Sequence, residues 1–167
     1  MITIRKATIE DLPVLFEFEQ GVLRAERPMD ETLKLKNTYY YNIPNLIEDS
    51  SVELVMAEIN GIIAGCGYAR IKKARDCFQF DQFSYLGFMF TKEDYRGRGV
   101  NHSIMNYLYN WSLSKGIYEV RLEVYPTNIA AIKSYEKSGM TCSMQTMRID
   151  LRSKNLKDSD KLPFKFI

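Results

Sequence analysis

The sequence predicts a mixed α/β fold, in which helices flank one sheet, and two observations carry that prediction. Asn60-Gly61 separates two strand-like segments, 52–59 and 62–72, and this dipeptide is typical of a two-residue hairpin between antiparallel strands. A strand–helix–strand succession over 83–124 requires parallel strands joined by a right-handed crossover. One sheet therefore contains both antiparallel and parallel pairs of strands. The chain has 167 residues, a length that fits one domain with a core.

The first half of the chain opens with a strand and a helix. Residues 2–5 alternate apolar and polar side chains, which is typical of a strand. Residues 8–11 resemble a capping box, and the apolar positions that follow keep a helical period until Pro28 interrupts it. Asn42 caps a short helix that has a proline in its first turn and runs to about Asp49. The two hairpin strands come next.

The second half alternates strands and helices. A strand at 80–90 precedes a helix over about 99–114, which a lysine–glycine pair ends. Residues 119–125 alternate cleanly and predict a further strand. An asparagine cap begins a helix over about 128–138, and residues 140–151 predict a last long strand.

Composition excludes several classes of partner. The net charge is +2, too small for a polyanion binder, so no nucleic acid is expected. Three cysteines without CxxC spacing favour neither a disulfide framework nor a metal site. The longest apolar run, 62–69, is too short to span a membrane, and the N-terminus reads as structure without a signal peptide. We expect a cytoplasmic protein with one domain at 1–151 and a C-terminal tail at 152–167.

The most specific feature is a glycine loop between the strand at 80–90 and the helix that follows it. It reads Tyr95-Arg96-Gly97-Arg98-Gly99-Val100-Asn101. Alternate glycines free the backbone to bend and to expose its N–H groups. A helix that begins there adds unpaired N–H donors and the positive end of its dipole. With two arginines nearby, the loop predicts a site for phosphate or pyrophosphate, and hence a phosphorylated cofactor.

Three elements of the sequence together resemble the GNAT superfamily of acetyl-CoA-dependent N-acetyltransferases. The glycine loop resembles that family's Gln/Arg-x-x-Gly-x-Gly/Ala phosphate loop, with Arg96 and Gly99 in place and Asn101 where a small residue is usual. Residues 128–140 resemble its Asn-x-x-Ala-x-x-x-Tyr-x-x-x-Gly-Phe segment, and residues 86–91 lie where its fourth strand runs. The order and spacing of all three elements agree with the family.

The resemblance implies a mixed, mostly antiparallel sheet flanked by about four helices, with a V-shaped splay between the parallel fourth and fifth strands. It implies acetyl-CoA as co-substrate, its pantetheine arm paired with strand backbone at the splay and its pyrophosphate held by the glycine loop. The side chain of Asn101 either crowds that pyrophosphate or hydrogen-bonds to it. The implied cofactor-binding residues are Met89, Phe90, Thr91, Arg96, Gly97, Arg98, Gly99, Val100, Asn101, Asn128 and Tyr135.

The resemblance also suggests catalytic groups. Tyr135 is the implied general acid for the leaving thiolate, because a neutral phenol donates a proton at pH 7; packing of its ring on the sheet is the alternative. Glu123, on the strand beside the slot, is the candidate general base, and Tyr85 and Glu26 are further candidates. A solvated surface carboxylate is the alternative for both glutamates.

The acceptor site is expected around Glu26, Tyr40 and Tyr85. Tyr40 belongs to a run of three tyrosines, 39–41, in the segment where the family's variable acceptor-binding residues lie. The run is either an aromatic wall for an amine, with cation–π character, or packing between the first helices and the sheet. Both interpretations stay open at this point.

The resemblance predicts an N-acetyltransferase that moves an acetyl group from acetyl-CoA to a primary amine by direct attack in a ternary complex. Two alternatives stay open: a non-catalytic acyl-CoA-binding or regulatory module, and an enzyme that acetylates protein N-termini or lysines. The partner is accordingly a small-molecule amine or a peptide. Exposed strand edges are compatible with a homodimer.

Overall fold

Five strands form one mixed sheet, and helices pack on it. The structure is a computed structural model and describes residues 1–36 and 38–151. The strands are β1 (Ile2–Lys6), β2 (Val52–Ile59), β3 (Ile62–Lys73), β4 (Gln82–Thr91) and β5 (Val120–Arg121), and they lie in that order across the sheet. The helices are α1 (Leu12–Glu26), α2 (Ile43–Glu48), α3 (Val100–Ser114) and α4 (Ile129–Lys137). The predicted fold class is confirmed.

The direction of pairing changes once across the sheet. Neighbours from β1 to β4 are antiparallel, and β4 and β5 are parallel. The turn between β2 and β3 is the predicted one, because Asn60 and Gly61 have φ angles of 52° and 78°, as a primed hairpin turn requires. The crossover from β4 to β5 contains α3, as the parallel pair demands.

The last pair of strands shares very little length. β4 and β5 pair only at Ser84 with Val120 and at Tyr85 with Arg121. Beyond Tyr85, β4 continues to Thr91, whereas the chain beyond β5 is no longer a strand. The carboxyl end of β4 therefore has free backbone groups on this side, at the place where the resemblance predicts a splay.

Two apolar clusters bury both faces of the sheet. In the first, α1 and α2 contribute Leu15, Phe18, Val22, Ile43 and Leu46 against sheet residues that include Leu54 and Met56. In the second, α3 contributes Val100, Ile104, Met105 and Leu108 against sheet residues that include Val55 and Ala57. Successive residues of β2 thus alternate between the clusters, so the sheet is the middle layer between α1–α2 and α3.

Two predicted strands differ from the structure. The strand expected at 119–125 is confined to β5, and none of residues 140–151 forms a strand. Alternating side chains predict an extended backbone, but a strand also needs a neighbour that completes its hydrogen-bond ladder. Residues 141–151 are exposed, and Arg148 is instead bonded to Asp30. The predicted tail, 152–167, lies outside the described residues.

A carboxylate at the beginning of α1 accepts hydrogen bonds from both Arg5 and Thr8. Asp11 accepts hydrogen bonds from both terminal nitrogens of Arg5, at 2.8 Å each, and from the N–H of Thr8 at 2.8 Å. Arg5 also donates to Glu58 on β2. The hydrogen bond from Arg5 is the main reason that the pKa of Asp11 lies below its usual range. The pair therefore ties β1 to the turn that begins α1.

Replacing Asp11 by asparagine should lower the free energy of unfolding at pH 7 by about 1–2 kcal/mol, because a charged partner of a half-exposed arginine is lost. The pKa of Asp11 is lowered in the folded state, so this stabilisation is present at neutral pH and disappears as the pH falls through that pKa. Urea unfolding at pH 7 and pH 3 measures it, with the exposed Glu10→Gln as control. If the free energy of unfolding differed between Asp11→Asn and wild type by the same amount at pH 7 and pH 3, the account would be contradicted.

Candidate active site

The glycine loop lies at the amino end of α3, where it was predicted. Gly97 and Gly99 have φ angles of 74° and 84°, a backbone conformation that disfavours other residues. Gly99 is the N-cap of α3 and has no side chain to accept from the first-turn N–H groups, so these donors are free for a ligand. Space around Gly97 is open, and Arg96 and Arg98 are exposed on either side of it. The loop has the open backbone and positive charge that a pyrophosphate requires.

The side chain of Asn101 contacts the neighbouring helix α4. Its amide nitrogen donates to the hydroxyl of Ser134 on α4 at 3.0 Å and points also at the sulfur of Met105. His102, the next residue, contacts the hydroxyl of Ser138 at 3.1 Å. Asn101 thus joins α3 to α4 with its side chain, and its backbone N–H is what it offers to the loop. Ser134 was not singled out from the sequence, because only the packing of two helices brings it there.

Residues 89–91 follow the point where β4 leaves β5. Met89 packs toward the α3 cluster, and the ring of Phe90 lies 4.8 Å from that of Phe18 on α1. Successive side chains thus go to opposite faces, while the backbone of this stretch, which ends at Thr91, faces the gap left by β5. This is the arrangement in which an extended ligand pairs with a strand edge.

Tyr135 lies on α4, and Asn128 begins that helix. The Asn128 side-chain oxygen accepts from the N–H of Ala131 at 3.2 Å, as a helix cap does. Tyr135 packs against the α3 cluster, so the packing expected as an alternative to catalysis is present. Burial raises the pKa of Tyr135 to about 12, and the negative charge of Glu26 adds to the effect. The phenol is therefore a neutral proton donor at pH 7.

Glu26, the last residue of α1, lies near several tyrosines. It is half-buried, and its Oε2 accepts a hydrogen bond of 2.8 Å from the hydroxyl of Tyr40. Burial raises its pKa above the usual carboxylate range, and the bond from Tyr40 partly opposes that rise. Burial raises the pKa of five tyrosines, and the charge of Glu26 adds to the rise in each; they are Tyr40, Tyr41, Tyr85, Tyr125 and Tyr135. A base and a proton donor thus lie within electrostatic reach of each other.

Glu123 is exposed, as the alternative of a solvated surface carboxylate expected, and it does not lie on a strand. It lies in the loop after β5, and its Oε2 accepts from the hydroxyl of Tyr85 at 3.2 Å. The ammonium of Lys72 lies 3.6 Å from the centre of the Tyr85 ring, so a cation already stacks on this aromatic face. Burial raises the pKa of Tyr85, and the charges of Glu123 and Glu26 add to that rise. Glu26, Tyr40, Tyr85 and Glu123 therefore form one group, called here the carboxylate–tyrosine cluster. It contains all three predicted acceptor-site residues.

A second carboxylate, Asp30, joins three distant segments beside that cluster. It accepts from the hydroxyl of Tyr125 at 3.0 Å and pairs with Arg148 through two nitrogens at 2.8 and 2.9 Å. The bond from Arg148 is the main cause that holds the pKa of Asp30 well below its usual range. Nothing in the sequence pattern marks Asp30, Tyr125 or Arg148, since their contact spans more than 90 positions.

A bulge distorts β4 between its two halves. Gly67 of β3 faces the bulge, where the register with β4 shifts, and Phe88 has a φ of 53°. The N–H of Phe88 turns away from the ladder and donates to the hydroxyl of Tyr41 at 3.2 Å. The two rings stack 4.6 Å apart. Tyr41 therefore packs on the sheet, which is the second of the two interpretations of the tyrosine run, whereas Tyr40 reaches Glu26.

An uncharged groove of about 760 Å³ adjoins these tyrosines on the α1 side. Its lining includes Phe16 and Gln20, one turn apart on α1, together with Tyr39, Tyr41 and Pro44. Tyr41 lines the groove and also accepts a hydrogen bond from Phe88, so the groove borders the bulge in β4.

The sequence of this chain matches a known protein family over most of its length. The profile described as the acetyltransferase (GNAT) family matches residues 15–140, which is most of the chain. The chain belongs to the GNAT acetyltransferase family. The predicted family and the predicted class of enzyme, an acyltransferase, are thereby confirmed. In the part of the chain that the structure describes, no helix is both long and apolar enough to cross a membrane.

Solved GNAT structures share the fold of this protein at low sequence identity. A predicted acetyltransferase from Clostridium acetobutylicum, solved with acetyl-CoA, has a TM-score of 0.70 and 17% identity over 93% of this chain and 99% of its own. An aminoglycoside N-acetyltransferase in complex with CoA has a TM-score of 0.67 and 15% identity over 89% and 98%. Streptothricin acetyltransferase from Escherichia coli is 38% identical over 47 residues, 28% of this chain and only 27% of that relative.

Proposed function

We propose that this protein is an acetyl-CoA-dependent N-acetyltransferase, which moves the acetyl group to a primary amine by direct attack in a ternary complex. The observation that carries the proposal is that Tyr135 is buried and that Glu26 lies near enough for its charge to act on the phenol. One environment raises the pKa of a carboxylate and, at the same place, keeps a phenol protonated. Two titratable groups with displaced pKa values are the usual sign of an acid and a base.

The residues near the glycine loop fit CoA as the carrier of the acetyl group. Gly97 leaves open space, the first turn of α3 offers unpaired N–H groups, and the end of β4 has an unpaired edge. In this proposal residues 96–101 hold the pyrophosphate, and the backbone of Met89, Phe90 and Thr91 pairs with the pantetheine arm. Asn128 caps the amino end of α4, the helix that carries Tyr135. Relatives solved with acetyl-CoA or CoA support the choice.

The chemistry needs a neutral amine and a proton for the leaving sulfur. In the proposal, Glu26 takes a proton from the acceptor's ammonium, and the free amine forms the new C–N bond as the C–S bond of the thioester breaks. Tyr135 donates its proton to the thiolate, and the proton that the new amide nitrogen loses returns through solvent to the Tyr135 phenolate. Glu26 then releases to solvent the proton that it took from the ammonium, which restores both groups. Glu26 replaces Glu123 as the preferred base because it is half-buried and close to Tyr135, whereas Glu123 is exposed.

The acceptor in this proposal is an amine with more than one positive charge. Among the described residues, neither Glu26 nor Glu123 forms an ion pair with lysine or arginine, and each is bonded to a tyrosine hydroxyl. Two unpaired carboxylates and several aromatic faces suit ammonium groups. The relatives named for streptothricin and aminoglycosides support this class of acceptor. Acetylation of protein N-termini or lysines remains the second candidate, since the 760 Å³ groove suits an uncharged segment of chain.

The first test is release of free CoA thiol from acetyl-CoA with a panel of polyamines, aminoglycosides, streptothricin, amino acids and peptides. We expect amine-dependent release, with kcat/KM for multiply charged amines at least about tenfold above that for amino acids, because the second ammonium meets a carboxylate. Release with peptides alone would favour the second candidate. Tight binding of acetyl-CoA without release with any amine would contradict the proposal and favour a non-catalytic module.

Two matched substitutions separate the roles of the carboxylates. Glu26→Gln should lower kcat about 100-fold and abolish the acidic limb of the pH profile, because the base is lost. That limb should lie above the usual carboxylate range in wild type, since burial raises the pKa of Glu26 and only the ionised form accepts a proton. Glu123→Gln should chiefly raise the KM for the amine. The reverse pattern, with kcat lost only in Glu123→Gln, would restore Glu123 as the base.

A further inference from the structure

Glu19 is a buried carboxylate with no role in the chemistry described above. It lies in the middle of α1, and its side chain is 0% exposed. Its Oε1 accepts hydrogen bonds from the N–H groups of Tyr40 and Tyr41, at 2.7 and 2.8 Å. Its Oε2 has no hydrogen-bond partner among the described residues. Burying such a group is costly unless its bonds repay the loss of water, and every bond it makes goes to one short segment.

That segment has no regular secondary structure to hold it. Residues 38–42 belong to no helix or strand, so the N–H groups of Tyr40 and Tyr41 have no ladder partners. Gln20, the next residue of α1, donates to the carbonyl of Thr38 at 3.2 Å. The middle of α1 therefore fixes the path of this segment through side chains rather than through backbone pairing.

The hydroxyls of Tyr40 and Tyr41 bond to two separate parts of the site. The hydroxyl of Tyr40 donates to Glu26, which lies two helical turns after Glu19 and hence on the same side of α1. The hydroxyl of Tyr41 accepts the N–H of Phe88 in the bulge of β4. A shift of this segment would alter both the carboxylate cluster and the strand next to the splay.

We infer that Glu19 is a positioning residue: its buried carboxylate fixes the backbone of Tyr40 and Tyr41 so that their two hydroxyls reach separate parts of the site. This inference rests on the proposed function only where it concerns catalysis. The arrangement itself is a property of the folded chain, and it can be tested without any activity.

Amide exchange in the unmodified, full-length protein tests the arrangement by NMR. The amides of Tyr40 and Tyr41 should exchange at least about tenfold more slowly than that of Tyr39, whose side chain is exposed. Equal exchange of all three amides would overturn the inference, whatever the enzyme does. The result is independent of whether any amine is acetylated, so it separates failure of this inference from failure of the proposed function.

Substitution then tests the connection to Glu26. Glu19→Met removes both acceptor oxygens at similar length, Glu19→Gln keeps one, and Glu17→Met alters an exposed glutamate of the same helix as control. Because the bond from Tyr40 lowers the pKa of Glu26, its loss should raise the pH at which the Glu26 carboxyl titrates by NMR. We expect that rise in Glu19→Met, an equal rise in Tyr40→Phe, and no additional rise when the two are combined.

The same variants give a kinetic readout. Glu19→Met should lower kcat about 10-fold or more and move the acidic limb of kcat/KM to higher pH, while Glu19→Gln and Glu17→Met stay close to wild type. A lower melting temperature with an unchanged Glu26 titration and an unchanged limb would reduce Glu19 to a structural residue and overturn the inference. If Glu19→Met does not fold, the exchange of the Tyr40 and Tyr41 amides in wild type decides.

Discussion

The bulge in β4 is the constraint on which the site depends. Phe88 is held with a positive φ, a conformation that costs free energy unless its surroundings fix it. Glycines surround this stretch of strand, and a Cβ at any of them would collide with a neighbour; they are Gly21, Gly65, Gly67 and Gly87. These close approaches bring β4 tightly against α1 and β3 just beyond the place where it parts from β5.

Two halves of the site arise in physically different ways. The half expected to hold the cofactor is local in sequence: a glycine loop, the first turn of α3 and a capped helix with Tyr135. The acceptor half is assembled from the end of α1, the tyrosine segment and the chain after β5, which meet only in the folded protein. Glu26 and Glu123 accept hydrogen bonds from tyrosine hydroxyls. The proton affinity of Glu26 therefore depends on burial and on the position of Tyr40, which lie outside the chemistry itself.

Sequence periodicity and turn chemistry predict the elements that are fixed locally. The Asn60-Gly61 hairpin, the start of α3 at the glycine loop and the cap at Asn128 are confirmed, because short-range backbone preferences decide them. The strand expected at 140–151 was wrong, since alternation predicts an extended chain but does not supply a pairing partner. Glu19 lies within a segment of helical period that does not mark it for any role, and only the tertiary fold shows where its carboxylate is used.

A crystal structure of the protein with bound CoA tests the central claim most directly. The account predicts the pyrophosphate against the backbone N–H groups of residues 97–101, the pantetheine arm along residues 89–91, and the sulfur within hydrogen-bond reach of the Tyr135 hydroxyl. It also predicts that the Glu26 carboxylate faces the same end of the cofactor. Density for CoA in the 760 Å³ groove between α1 and the tyrosine segment, with the glycine loop unoccupied, would contradict it.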